Sequence, residues 1–142
     1  MVRATINNVS FITPLEPDGK FSHYFLIDKK LLDSLGILEG SSTKTVIEPI
    51  NDWPEPVIPA DIQEALSYSP KARELWQNIT TMSRWEWIRW IRSTPNSKTR
   101  SRRINVAISK LNSGKRRPCC WNRNLCTDPR VSKNGVLLDS IF

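Results

Sequence analysis

The chain has 142 residues, of which 39% are hydrophobic and 25% charged. That composition suits one domain or two small modules sharing a core, excludes disorder throughout, and leaves no apolar run near the ~20 residues of a membrane helix. The net charge of +7 is uneven: residues 1–58 hold five Lys/Arg against eight Asp/Glu, residues 59–142 hold sixteen against six.

The basic second half raises the expectation of an anionic partner, whether nucleic acid, lipid head group or phosphate. The N-terminus, Met1-Val2-Arg3-Ala4-Thr5-Ile6, lacks an apolar signal core, so the expected compartment is the cytoplasm. Three cysteines crowded at 119, 120 and 126 do not form a disulfide framework.

In chain order, Val2, Ala4 and Ile6 alternate with Arg3 and Thr5, the period of a half-buried strand. Asn7-Asn8 predicts a tight turn, because asparagine tolerates positive φ, and Val9 to Thr13 predicts the return strand. Pro14, Pro17, Asp18 and Gly19 mark a loop, and Phe21–Ile27 a third strand. Asp28 has the chemistry of an N-cap for a short helix over Lys29–Leu35, closed by Gly36. Thr43–Ile47 reads as a last strand. Residues 1–50 are thus a small β-rich module.

Residues 51–58 form a proline-rich linker with Trp53 in it. Residues 59–114 read as about four helices. The first opens at Pro59 or Ala60 and presents Ile62, Ala65 and Leu66. The second opens at Ser69-Pro70 and presents Ala72, Leu75 and Trp76. The third takes its start from the capping-box spacing of Ser83-Arg84-Trp85-Glu86. The fourth runs from Thr94-Pro95 to about Asn112, with Ile104, Ala107, Ile108 and Leu111 on its inner stripe and Gly114 as its stop. Residues 115–142 are a basic, cysteine-containing tail. The fold class is α+β: a small, barrel-like β module followed by a helical bundle.

Three clusters carry candidate chemistry. In Lys98-Thr99-Arg100-Ser101-Arg102-Arg103, helical spacing puts Arg100 on the apolar stripe, Arg103 at its margin and Arg102 away from it. Arg100 then either pairs internally, with a carboxylate such as Glu86 or Glu64 or with helix C-terminal carbonyls, which is the favoured reading, or helps bind an anion at the helix start. Trp85, Trp87 and Trp90 alternate with Arg84, Arg89 and Arg92, a mixture suited to base stacking. Trp87 shares a face with Ile88 and Ile91, however, so core packing is the better reading for most of them, with Trp90 kept as a candidate ligand contact. Lys115-Arg116-Arg117-Pro118-Cys119-Cys120 places cations beside two thiols, a setting that lowers thiol pKa, although inert cysteines are the expected case.

The cysteine spacing does not match a zinc pattern, His23 stands alone, and neither a metal nor a cofactor is expected. P-loop, G-x-G-x-x-G, G-x-S-x-G and HExxH signatures are absent, so no catalytic residue is assigned.

Ile58-Pro59-Ala60-Asp61-Ile62, Trp87-Ile88-Arg89-Trp90-Ile91, Thr99-Arg100-Ser101-Arg102-Arg103-Ile104 and Leu111-Asn112-Ser113-Gly114-Lys115 together resemble the YdeI/OmpD-associated, or bacteriocin-protection, family. Ser93-Thr94 stands where family members usually have Ala-Lys. Ala4-Thr5-Ile6-Asn7-Asn8 and Leu35-Gly36-Ile37-Leu38-Glu39-Gly40 resemble pieces of the small β-barrel domain that often precedes it, without that domain's earlier strands. The resemblance implies a role in envelope stress or in resistance to bacteriocins and antimicrobial peptides. Incomplete strands leave open edges, so either a homodimer or the tail is expected to cover them.

The leading functional expectation is a non-enzymatic binding or interaction protein. The alternatives are a nucleic-acid binder using the basic half, and an enzyme that clamps a small anion with Arg100 and Arg103 where the modules meet.

Overall fold

The computed structural model describes residues 1–17 and 22–118. The candidate thiols Cys119 and Cys120 lie outside the described residues.

The first two strands, β1 (Val2–Ile6) and β2 (Val9–Thr13), form an antiparallel hairpin with Ile6 opposite Val9. The loop is Asn7-Asn8, with φ of 48° and 65°, the left-handed pair that a two-residue turn matched to strand twist requires. Val2, Ala4 and Ile6 are buried, as their alternation predicts. β3 (Glu16–Pro17) pairs with β4 (His23–Tyr24) in a separate two-residue ladder, so the third strand expected over Phe21–Ile27 shrinks to its middle. Phe25, just past it, packs against Phe11 with ring centroids 5.8 Å apart.

Helix α1 (Lys29–Leu35) begins where the Asp28 carboxylate accepts the Leu31 N–H at 2.9 Å. It ends at Gly36, whose φ of 63° is the left-handed C-cap geometry. The Asn7 side-chain amide donates to the Leu35 carbonyl at 3.1 Å, tying the hairpin turn to the end of α1. Asn7→Ala loses that bond and forces alanine into a left-handed conformation, so it is expected to cost about 1–2 kcal/mol in chemical denaturation.

The last strand, β5 (Thr45–Pro49), pairs antiparallel with β1 and begins and ends two residues later than the sequence pattern suggests. The sheet order is β2-β1-β5, so β1 is central and both neighbours are edges. Of the partial barrel expected, the described strands form an open three-stranded sheet and a two-stranded ladder, and no closed barrel is seen among them. Three strands are too few to curl round and close on themselves.

Four helices follow: α2 (Ala60–Ser67), α3 (Pro70–Asn78), α4 (Thr81–Arg92) and α5 (Ser97–Asn112). Their inward faces form one core of Ile62, Leu66, Ala72, Trp76, Ile79, Trp87, Ile88, Ile91, Ile104, Ala107 and Leu111. Two starts differ from the sequence reading. Helix α4 is capped by Thr80, whose hydroxyl accepts the Ser83 N–H at 3.2 Å, so Ser83 lies inside the first turn instead of leading a capping box. Helix α5 is capped by Asn96, whose side chain accepts the Thr99 N–H at 3.0 Å, leaving Thr94-Pro95 in the preceding turn. In both cases a neighbouring side-chain oxygen, three residues before the expected cap in α4 and two residues after it in α5, meets the orphan donors. Helix α5 closes at Gly114 (φ 85°), where Gly114 N–H donates to Leu111 and Lys115 N–H to Lys110, the paired bonds of a Schellman stop.

Among the described residues, no helix is long and apolar enough to cross a membrane.

Candidate functional site

Most of the interest lies where the sheet module meets α4. Helical spacing places Arg89 and Arg92 one turn apart on one side of α4, and Trp85 and Glu86 beside them. Glu16, in β3, is 7% exposed. One of its carboxylate oxygens meets Arg89 Nε and the other accepts from an Arg92 Nη2 donor. A carboxylate this buried needs compensating charge, and two guanidiniums supply it. This clasp joins residues 76 positions apart in the chain.

Above the clasp lies a cleft of about 210 Å³. Met1, Pro14, Leu15, Trp53, Met82 and Trp85 give it apolar walls, and Glu16, Glu86 and Arg89 line its polar side. Its rim is fixed from the linker. Trp85 Nε1 donates to the Pro54 carbonyl at 2.7 Å. Glu55 is held by Arg84 Nε at 2.8 Å and Nη2 at 2.7 Å. Arg84 also donates to the Trp76 and Ile79 carbonyls, at 3.0 and 2.6 Å, closing the end of α3. The Arg84 bonds hold the Glu55 carboxyl below its ordinary pKa. Buried Glu86 meets Arg117 at 3.4 Å. At Met1, burial lowers the pKa of the α-amino group while the nearby Glu16 charge opposes the shift.

The arginines singled out by sequence sit elsewhere. Arg100 makes a two-point bond to Asp61 in the first turn of α2, Nε to Oδ2 at 2.7 Å and Nη2 to Oδ1 at 2.9 Å. Its carboxylate partner is therefore Asp61, not Glu86 or Glu64. Arg103 donates to the Trp90 and Ser93 carbonyls at 2.7 and 3.0 Å and to Ser93 Oγ at 2.7 Å, closing the end of α4. Burial lowers the Arg103 pKa from its ordinary value, yet an arginine stays cationic at neutral pH. Trp90 has Arg103 5.5 Å and Lys110 5.7 Å from its ring centroid, and packs edge-on against Trp87 at 5.9 Å. Arg102 is exposed. None of these four residues lines the cleft above the Glu16 clasp.

The Asp61–Arg100 pair has a pH signature. Arg100 bonding lowers the Asp61 pKa, so the pair's stabilisation is fully present above the ordinary aspartate value. It is lost as pH falls through the lowered value. In acid unfolding curves, the stability gap between the natural chain and Asp61→Asn is expected to be widest at neutral pH and to close well below about pH 4. The effect is small, because Asp61 is 43% exposed.

The Glu16 clasp was not among the sequence candidates; a pocket where the modules meet was expected only for an anion held by Arg100 and Arg103, which do not line this cleft. Pro14-Leu15-Glu16-Pro17, a carboxylate set among apolar and proline residues, is the one local hint of a buried acid. Arg89 and Arg92 were visible only as part of the Arg/Trp alternation. Among the described residues, no group of three or more His, Cys, Asp or Glu side chains comes together as a metal site would need.

Residues 55–114 match the family model described as Bacteriocin-protection, YdeI or OmpD-Associated. Searches of curated proteins and of solved structures returned no match. The matched segment runs from Glu55, held by Arg84, to Gly114, the stop of α5, and so takes in all four helices of the second half. Over residues 55–114 the chain is therefore similar to the YdeI/OmpD-associated, bacteriocin-protection family.

Proposed function

We propose that the protein is a non-catalytic binding protein, of the kind that protects against bacteriocins or antimicrobial peptides, and that it takes an apolar side chain of a protein or peptide partner into the cleft beside α4. The observation that carries this reading is the cleft itself. Its walls are two indoles and four aliphatic or thioether side chains, and its volume of about 210 Å³ lies below the ~300 Å³ at which small-molecule sites begin. A space of that size suits one large side chain. The family match at residues 55–114 supports the protective setting of this reading.

Two observations weigh against the alternatives. Stacking on nucleic acid needs a free aromatic face, whereas Trp90 already has two cations near its ring. An anion clamp needs unengaged guanidiniums, whereas Arg100 and Arg103 hold Asp61 and the end of α4.

The test is an NMR titration of ¹⁵N-labelled protein with a leucine-rich helical peptide of no net charge, read at the indole N–H signals. The expected outcome is saturable movement of Trp53 and Trp85, no movement of Trp76 or Trp87, and loss of the response in Met82→Glu. Absence of any shift at millimolar peptide rejects the reading. Salt-sensitive shifts on adding duplex DNA, centred on Lys98 and Arg102, would establish the nucleic-acid alternative in its place.

A further inference from the structure

The outer edge of β5, with which no described strand pairs, has an unusual composition for a sheet edge. Every residue from Val46 to Pro49 is exposed, including Val46 at 50% and Ile47 at 43%. Exposed apolar edges invite pairing with another strand.

The ladder shows which backbone groups face outward. Ile50 N–H donates to the Met1 carbonyl, so Ile50 and Met1 form a hydrogen-bonded pair. Counting back along the antiparallel register, Glu48–Arg3 and Val46–Thr5 are bonded pairs as well. The N–H and C=O groups of Thr45 and Ile47 therefore point away from β1. Pro49 also occupies an outward position, where its missing N–H costs the ladder nothing.

We infer that β5 pairs antiparallel with β5 of a second copy of the chain, about a two-fold axis at Val46. In that register Val46 faces its own counterpart, Thr45 faces Ile47, and Lys44 faces Glu48. The outward groups of Thr45 and Ile47 then bond each other on both sides of the axis. Two Lys44–Glu48 contacts form on the face that carries Val46, so the edge is complementary in charge to itself. The other edge, β2, has no such complementarity, because Val9-Ser10-Phe11-Ile12-Thr13 contains no charged residue. The pairing makes one continuous six-stranded sheet and extends the face bearing Val2, Ala4 and Ile6 through Ile47 of both copies. It does not depend on the cleft reading above.

Sedimentation equilibrium of the full chain tests this. The natural sequence is expected to dimerise at high micromolar concentration. Lys44→Glu places like charges opposite each other twice and is expected to raise the dissociation constant about tenfold or more. Lys44→Glu/Glu48→Lys restores the opposite charges and is expected to recover much of the affinity, short of all because Arg3 lies beside position 48. Ile47→Pro removes an outward N–H without touching the β1 ladder, and is expected to give a folded monomer by circular dichroism. A natural chain that stays monomeric at millimolar concentration overturns the inference. So does a dimer that survives both Ile47→Pro and Lys44→Glu, which would place the contact on another surface.

Discussion

Replacing Trp87 with alanine is expected to remove about 4 kcal/mol of stability, enough to leave a typical domain marginal. Trp87 is fully buried in the helical core, meets Trp90 edge-on, and donates its indole N–H to the Arg116 carbonyl at 3.2 Å. Truncation opens a cavity on α4, takes away an aromatic contact and leaves a backbone acceptor without its donor. It also loosens the segment after α5 that this bond holds. For a chain of this size the midpoint of thermal unfolding should fall by roughly 15 °C. Trp87→Phe keeps most of the apolar volume and should lose less than half as much. Equal losses for the two variants would mean that the indole bond, not packing, dominates at this position.

Glu16→Gln is expected to cost about 3 kcal/mol, although the side chain keeps its shape. The carboxylate is the counter-charge for Arg89 and Arg92, whose side chains are 23% and 27% exposed. An amide presents one acceptor and one donor to two cations, so a guanidinium is left poorly compensated at the junction. Arg92 Nε is already buried without a partner. The loss should appear first as weaker attachment of the β module to the helices, seen as faster amide exchange in residues 2–13 than in α5. Converting all three residues to apolar ones of similar volume should recover much of the stability, because the desolvation of three charges is then removed together. If Glu16→Gln alone leaves stability unchanged, the clasp holds nothing.

Local chemistry explains which parts of this molecule can be read from sequence. The Asn7-Asn8 turn, the Asp28 and Gly36 caps of α1 and the stripe of α5 depend on residues a few positions apart, and each is where the pattern puts it. The starts of α4 and α5 were displaced because several Ser, Thr and Asn side chains near each start compete as caps, and the winner depends on how the helix docks. The junction was out of reach for a different reason. Glu16 and Arg92 are remote in sequence, and no periodicity links a β3 acid to an α4 base. The arginines of the basic half were legible as charge, but many of them serve inside the fold: Arg84 and Arg103 close helix ends, while Arg89, Arg92 and Arg100 hold carboxylates. Composition reports how many guanidiniums there are and is silent on which way they point.

The order of the strands has a consequence for how the chain assembles during synthesis. Its first five-residue strand is the middle of the sheet, and one neighbour, β5, is completed only at Pro49. The β1–β2 hairpin can close within microseconds of emerging, but the opposite flank of β1 must wait for a loop of some forty residues to return. Until then a nascent chain exposes a bare ribbon, to which ribosome-bound chaperones or neighbouring chains have access. Chains arrested while β5 is still inside the ribosomal exit tunnel should therefore be far more sensitive to protease than chains arrested after it has emerged.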